Sequence, residues 1–388
     1  MVARVPLADL AAQEATVLSR IQAAVDRVAR SGQFILGPEV VAFESWLAQF
    51  AGTTHAVGVA SGTDALVLTL RALGIGAGDA VVTPALSFIA AAEAIAVVGA
   101  CPVFCDVDPA TMNASEATVD AALRSADREG LRVRAILPVH LFGRCAPRAL
   151  AEVARRAGAA LIEDAAQALG AKDDQGAPAG SFGDASCFSF FPSKNLGAWG
   201  DGGAIVTSRE DIARSVRRLR AHGAVSPYVH AEIGCNSRLD ALQAAILMAK
   251  VPELERWQSA RAARAARYRD GLADLDLVLP EDAPPPGVHA WHAYVVRSGQ
   301  RDALARWLGE RGVDARVYYP VPLHRQACFA SLPARCLVAA ENACCTALAL
   351  PIFTTMTDAQ QDRVVDEIRR FFESGDPRAL PRSSPQRA

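Results

Sequence analysis

The strongest constraint on the fold is a repeated exchange between two hydrophobic periods. Short β-branched and aromatic runs occur at residues 81–83, 102–107, 134–140, 159–164, 186–191 and 204–207, with Ala- and Leu-rich stretches between them. Strands separated by helices need crossover connections, and crossovers produce a mainly parallel α/β sheet covered on both faces. The intervening stretches have helical character. Residues 64–73 place Leu66, Leu70 and Leu73 on one face, while residues 210–222 follow a candidate N-cap, Ser208, and stop at Gly223, which suits a C-cap.

At 388 residues, 51% of them hydrophobic, the chain has material for two structural units. An Ala- and Arg-rich stretch at 239–272, interrupted near Pro252, reads as helices that leave the sheet. After the loop Pro284-Pro285-Pro286-Gly287, a strand at 293–297 and helices at 302–312 and 358–372 predict a smaller α/β domain. The expected division is a large domain over 1–250, including the N-terminal segment, a small domain over 251–373, and a disordered Pro-, Ser- and Arg-rich tail over 374–388.

The 40 Lys and Arg nearly cancel the 42 Asp and Glu, so no global basic field is available for nucleic acid or an anionic membrane. Nine cysteines, odd in number and without a CxxC pair, argue against a disulfide framework or zinc ribbon and are expected to be reduced, mostly buried thiols of a cytoplasmic protein. The start, MVARVPLADLAAQEA, lacks an apolar signal core. Glu93 interrupts the most apolar stretch, 85–104, which reads as a buried helix followed by a strand and not as a membrane span.

Three segments carry possible chemistry. Ser61-Gly62-Thr63 opens directly into a helix, where free N–H groups, a glycine and hydroxyls suit a phosphate; the same residues also make an ordinary N-cap. The run Ala160-Leu161-Ile162-Glu163-Asp164 is an apolar strand ending in a carboxylate. In open α/β sheets ligands bind beyond the carboxyl ends of strands, so Asp164 would face a site and Glu163 would point elsewhere, unless Asp164 caps the next helix. Lys194 follows a strand of apolar and small residues in a glycine-flanked loop, where it is either a desolvated amine fit for Schiff-base chemistry or a solvated loop lysine.

Taken in order, Ser61-Gly62-Thr63, the Glu163-Asp164-Ala165-Ala166-Gln167 run, Ser189 five residues before Lys194, and Gly234-Cys235-Asn236-Ser237-Arg238-Leu239-Asp240 resemble the pyridoxal-phosphate-dependent sugar aminotransferases of the DegT/DnrJ/EryC1/StrS family. Gly37-Pro38-Glu39-Val40, Thr83-Pro84, Ser87-Phe88 and Tyr319-Pro320-Val321-Pro322-Leu323-His324 extend the resemblance from about Pro6 to Phe372. It implies an aspartate aminotransferase-like fold of type I. It also implies pyridoxal 5′-phosphate, cycling with pyridoxamine phosphate, as cofactor.

Roles follow position by position from the resemblance. Lys194 matches the lysine that carries the cofactor as a Schiff base and shuttles the proton between substrate and cofactor carbons. Asp164 matches the carboxylate that keeps the ring nitrogen protonated. Phe88 matches an aromatic cover on the ring, and Gln167 a polar side chain against the ring and its phenolic oxygen. Gly62, Thr63 and Ser189 match a phosphate cup. Asn236 matches a residue that reaches the phosphate from a neighbouring subunit, which implies a homodimer with shared sites.

Arg238 matches a contact to an anionic substrate group, with a salt bridge to Asp240 as its alternative. Tyr319 and His324 match positions near the sugar pocket, and Tyr318 a variable position that tunes specificity. His289 and His292 lack a carboxylate or cysteine at metal spacing and read as core or interface residues. No metal is expected.

The implied reaction moves an amino group from L-glutamate to a keto group on a nucleotide-linked sugar, in the making of an amino sugar for a polysaccharide or glycosylated metabolite. Tyr228-Val229-His230 ahead of the Asn236 segment favours C3 over C4, although Cys235 stands where an aromatic residue is common. A dehydratase of the same family would carry His in place of Lys194. A non-enzymatic regulator would need a DNA-binding module, for which residues 1–30 are too few and insufficiently basic. The glycines of Gly74-Ile75-Gly76-Ala77-Gly78 follow a helix and precede a strand, the wrong context for a nicotinamide fingerprint, and read as a loop.

Overall fold

The computed structural model describes residues 4–374. Seven strands, β1 (His55–Val59), β2 (Asp79–Pro84), β3 (Cys101–Cys105), β4 (Arg132–Ile136), β5 (Ala160–Asp164), β6 (Ala185–Ser189) and β7 (Gly203–Thr207), form one sheet. Their spatial order is β1-β7-β6-β5-β4-β2-β3. The neighbours from β6 to β3 run parallel, and β7 is antiparallel to both β6 and β1. Every residue of β2 and β7 is buried, as expected when crossover helices cover both faces.

All six expected strands are present, with β4 ending at Ile136 and not at His140. Beyond Ile136 the chain stays extended, held by Leu137 N–H on Val82 O and a bridge from Val139 to Asp164. Strand β1 was not anticipated. Its sequence, His-Ala-Val-Gly-Val, contains Ala and Gly, which weaken the strand signal, and only pairing with β7 supplies the rest.

The expected helix after Ser61 spans Gly62–Ala72, with Ser61 in extended backbone and its Oγ accepting from Asp64 N–H at 3.1 Å. Leu66 and Leu70 are buried under it. The Gly74–Gly78 run is the loop between this helix and β2, as anticipated. The helix Glu210–Leu219 differs from expectation at both ends: Arg209 occupies the cap position, and Ser208 does not cap it. It stops at Leu219 because Cys235 N–H takes the Leu219 carbonyl at 2.8 Å, drawing residues 220–223 into pairing with the chain that returns through 235–237.

A two-stranded hairpin, β8 (Ala224–Ser226) with β9 (Val229–His230), projects from that return. Helices Ala241–Lys250 and Leu254–Leu272 are separated by a 3-10 turn at Val251–Glu253, where Pro252 lies. A second core forms where β10 (Tyr294–Arg297) pairs antiparallel with β11 (Ala347–Leu350), packed by Tyr268, Leu304, Leu308, Val364 and Ile368 from three helices. Val5 joins this second core through backbone bonds to Gly312 and Asp314, so the chain's first described residues pack there and not on the seven-stranded sheet.

Ser374 ends the last helix, Asp358–Ser374, and does not begin the expected tail; residues 375–388 lie outside the described residues. The nine cysteines are free thiols, but fewer are buried than expected: Cys105, Cys187 and Cys344 are, whereas Cys328, Cys336 and Cys345 are exposed. Burial pushes the Cys105 thiol up to about 12. Among the described residues no helix is long and apolar enough to cross a membrane.

Candidate active site

The carboxyl ends of β1, β5 and β6 and the amino end of β7 meet at one level, because the register pairs Val59 with Gly203 and Gly203 with Ser189. This junction opens into a cavity of about 830 Å³. Its walls include Gly62, Thr63, Ser189 and Lys194 from one side, Asp164, Gln167 and Phe88 from another, and Tyr318 and Tyr319 from the chain that follows the bridge of Arg316 to Ala349. Nine of the sequence-predicted residues are therefore brought together by the fold.

The end of the cavity at Gly62 is built by close approach. A Cβ on Gly62 would lie 2.7 Å from Ser189 Cβ, so only glycine lets the helix N-terminus rest on the end of β6. Gly203 is squeezed in the same way, its hypothetical Cβ falling 2.2 Å from Ser61 O. The first turn of a helix carries unpaired N–H groups and the positive end of the helix dipole, and here it faces the cavity. Ser61 is both a cap and a cavity residue, so the two readings of Ser61-Gly62-Thr63 are compatible.

Asp164 closes β5 and is buried. Its Oδ1 accepts from Ala166 N–H at 3.1 Å, and among the described residues it forms no ion pair. Burial pushes its carboxyl up from the ordinary value, opposed by the Ala166 N–H and by the charge of Lys194. Lys194 lies in a turn closed by its own N–H on Phe191 O at 2.8 Å. Burial pulls its amine down, opposed by Asp164. A buried acid without a cation and a desolvated amine in one cavity leave room for a cationic heterocycle bearing an electrophilic carbon.

Glu163, one residue earlier, points to the opposite side of β5, as alternation requires. There its carboxylate accepts from Gly180, Phe182 and Gly183 N–H groups at 2.8–3.1 Å and from His140 Nε2 at 2.9 Å. Because His140 Nδ1 accepts from Ala146 N–H at 2.9 Å, the ring proton sits on Nε2. This buried network fixes the strand ends that carry Asp164.

Gln167 is a strut. Its Oε1 accepts from Phe142 N–H at 2.7 Å and its Nε2 donates to Tyr319 Oη at 3.0 Å, so both ends of the amide are engaged. Phe142 holds φ of +59°, a strained value for a non-glycine residue, and lines the cavity. Phe88 is 55% exposed on the cavity wall, with its ring centroid 6.2 Å from that of Tyr319.

Three predicted residues do not line this cavity. Ser237 faces inward, donating to Asp64 Oδ2 at 2.6 Å and accepting from Ala60 N–H at 3.2 Å. Alternation along the extended segment therefore sends its neighbours Asn236 and Arg238 the other way. Arg238 makes no bridge to Asp240, and its Nε is buried without a hydrogen-bond partner among the described residues. His324 is sequestered: its Nε2 lies 2.9 Å from Glu341 Oε1 and its ring packs near Phe104.

Sequence reasoning passed over Ser87, Phe142, Asp201, Arg316 and His292, all of which line the cavity. His292 was expected to be a core or interface residue; instead it reaches the site, while His289 stacks on Trp291 in the core as anticipated. His292 has no local sequence signal: its place is set by the neighbour of Lys194, with Asn195 Oδ1 3.2 Å from His292 Nδ1, a contact between residues far apart in sequence. Among the described residues no cluster of three or more His, Cys, Asp or Glu is arranged to hold a metal.

Comparison with known proteins gives a consistent picture. The chain is 43% identical over 373 residues to a protein of Geobacillus stearothermophilus named a pleiotropic regulatory protein, covering 95% of this chain and 98% of the relative. It is 42% identical over 367 residues to a UDP-N-acetyl-3-dehydro-alpha-D-glucosamine 3-aminotransferase of Acidithiobacillus ferrooxidans, covering 94% and 97%. Its fold superposes with a TM-score of 0.90 on the crystal structure of S. venezuelae DesV in complex with a ketimine intermediate, at 41% identity and covering 96% and 99% of the two chains. Residues 16–369 match a family model, and the chain belongs to the DegT/DnrJ/EryC1/StrS aminotransferase family.

Proposed function

We propose that this protein is a pyridoxal-phosphate-dependent aminotransferase that transfers an amino group, from L-glutamate, to C3 of a nucleotide-linked keto sugar. The observation that carries the reading is the pairing, in one cavity beside a helix N-terminus, of desolvated Lys194 with buried Asp164, which has no ion-pair partner among the described residues. Pyridoxal phosphate fits this donor set: Gly62, Thr63 and Ser189 suit its phosphate, Asp164 its ring nitrogen, Gln167 its polar edge, Phe88 one ring face, and Lys194 its carbonyl carbon. When bound, the cofactor supplies an electron sink and a carrier for the amino group.

The chain's own residues supply the rest. Asp164 Oδ holds a proton on the ring nitrogen, because a buried carboxylate recovers its lost hydration only by pairing with that cation. With the cofactor bound, Lys194 Nζ, its basicity lowered by burial, would take the proton from the substrate α-carbon and hold it for return. The Gln167 amide fixes Tyr319 Oη at the sugar-facing wall. Tyr318 is the neighbouring specificity position.

Asn236 and Arg238, turned away from this chain's cavity, serve the site of a second copy in a homodimer. The exposure of Tyr228 and Ile233 nearby, 97% and 85%, supports an interface at the β8–β9 hairpin. The name of the Acidithiobacillus relative supports C3 over C4. The reaction takes place in the cytoplasm, with the large domain over 1–250 carrying the cofactor and the domain over 251–373 closing the sugar side. His324, held by Glu341, acts on the sugar wall only through the loop that carries it.

UDP- and dTDP-linked 3-amino and 4-amino sugars, assayed in reverse as amino-sugar consumption with 2-oxoglutarate, test the reading. Turnover is expected with a 3-amino sugar and none with Lys194→Ala. Normal turnover by that variant overturns the mechanism.

A further inference from the structure

Beside the transfer cavity lies a second chamber of about 340 Å³. The two share Phe191, Ser193, His292, Arg316 and Tyr318 on their walls, so the chambers meet at these residues. The far wall is apolar, built from Leu7, Leu10, Leu350 and Ile352. Its charge is unbalanced in one direction.

Arg261 lines only the second chamber and is 5% exposed. Its Nη1 donates to the carbonyls of Trp291 at 3.2 Å and Ile352 at 3.1 Å, and among the described residues no carboxylate pairs with it. Burial draws this guanidinium down to about 10, which leaves it charged at neutral pH. Arg316, on the shared wall, also has no ion pair among the described residues. The carboxylate on the lining, Asp314, is neutralised by Arg4 at 2.6 Å. His292 contributes no balancing negative charge: its Nδ1 donates to Asn195 Oδ1, whose amide nitrogen is committed to Ala290 O at 2.7 Å. An uncompensated buried cation costs free energy unless an anion arrives to pair with it.

An enzyme that handles two substrates in turn must recognise both at one reacting centre. The transfer cavity offers Asp164 and Asp201 as acids, and Lys194 is committed to the cofactor. Among the described residues that line the two cavities, Arg316 and Arg261 are the cations left to read carboxylates. We infer that the second chamber is the subsite for the amino donor, taking the two carboxylates of a dicarboxylic amino acid, one at Arg316 on the shared wall and one at Arg261 within. This rests on the aminotransferase reading of the site.

The test is calorimetric titration of the cofactor-loaded protein with glutarate, an unreactive dicarboxylate, with butyrate as the monocarboxylate, and with UDP as the competing anion. Wild type should bind glutarate at least tenfold more tightly than butyrate. Arg316→Gln, at an exposed position, should weaken glutarate at least tenfold and leave UDP affinity within twofold; Arg261→Lys should weaken glutarate and keep the visible cofactor spectrum. Equal loss of glutarate and UDP in Arg316→Gln, or unchanged glutarate binding, overturns the assignment. If amino transfer proceeds from some donor but wild type binds no glutarate, the subsite is wrong and the aminotransferase reading stands. If glutarate binding depends on Arg316 while no donor supports transfer, the subsite stands and the reaction is wrong.

Discussion

Substituting Gly62 by alanine tests whether the cup is built by contact. The new methyl would lie 2.7 Å from Ser189 Cβ and 3.2 Å from both its Cα and Oγ. Carbon atoms prefer a separation of about 3.5–4.0 Å, so the helix and the strand must part by roughly 1 Å. Ser189 cannot yield, because it ends β6 in register with Gly203, and Gly203 is itself pressed against Ser61 O. Overpacking of this kind costs about 1–3 kcal/mol, and the helical preference of alanine over glycine returns at most ~1 kcal/mol. A net loss of about 1–2 kcal/mol should appear in urea unfolding of the cofactor-free protein.

Under the proposed cofactor placement, parting these walls also lengthens their hydrogen bonds to the phosphate. Losing one charge-assisted bond weakens cofactor binding by about tenfold or more, read by fluorescence titration. Gly309 is the control: it lies inside the helix Arg301–Glu310 with nothing within 4 Å of its hypothetical Cβ. Gly309→Ala should therefore stabilise by about 0.5–1 kcal/mol. If Gly62→Ala unfolds at the wild-type urea midpoint and binds cofactor as tightly, the close-approach reasoning is wrong.

Three further perturbations probe other parts of the molecule. The folded-state pKa of Asp164 is raised, so its contribution to stability is present below its ordinary value of 3.8 and is lost as pH rises through the folded value. Asp164→Asn should therefore make the cofactor-free protein more stable at neutral pH while abolishing transfer; a lower melting temperature at pH 7 than wild type contradicts this. Mixing Lys194→Ala chains with Asn236→Ala chains should restore part of the activity through one intact site per heterodimer, and no recovery from verified mixed dimers removes the shared-site proposal. Lys250 is fully buried, donating to Glu14 Oε1 at 2.5 Å and to Gly197 O at 2.6 Å in the loop after Lys194. Lys250→Met should cost about 3 kcal/mol, and adding Glu14→Gln should recover part of it; a further loss in the double variant shows that the stranded carboxylate is not the cause.

The elements nearest the chemistry were the most legible. Asp164 and Ser189 sit at strand ends and Lys194 in the turn after β6, where a change of hydrophobic period and a polar residue coincide within a few positions. The opposed directions of Asp164 and Glu163 followed from strand alternation and are found as expected. Boundaries set by partners were less legible. The early stop at Leu219 depends on the Cys235 N–H, and β1 depends on β7, so neither has a local signature. Likewise β11 becomes a strand through pairing with β10.

By itself, then, the sequence determined the alternation of strands and helices, the mainly parallel sheet, and the identities of the groups at its carboxyl edge, because these follow from short-range periodicity and from motifs a few residues long. The tertiary structure decided which groups share a cavity. It brought His292, Arg316 and Arg261 from the second core against the Lys194 loop, turned Asn236 and Arg238 away from this cavity by anchoring Ser237 to Asp64, and withdrew His324 behind Glu341. Those placements depend on contacts between segments distant along the chain. Such contacts are set by packing and by the satisfaction of buried polar groups, which no local pattern encodes.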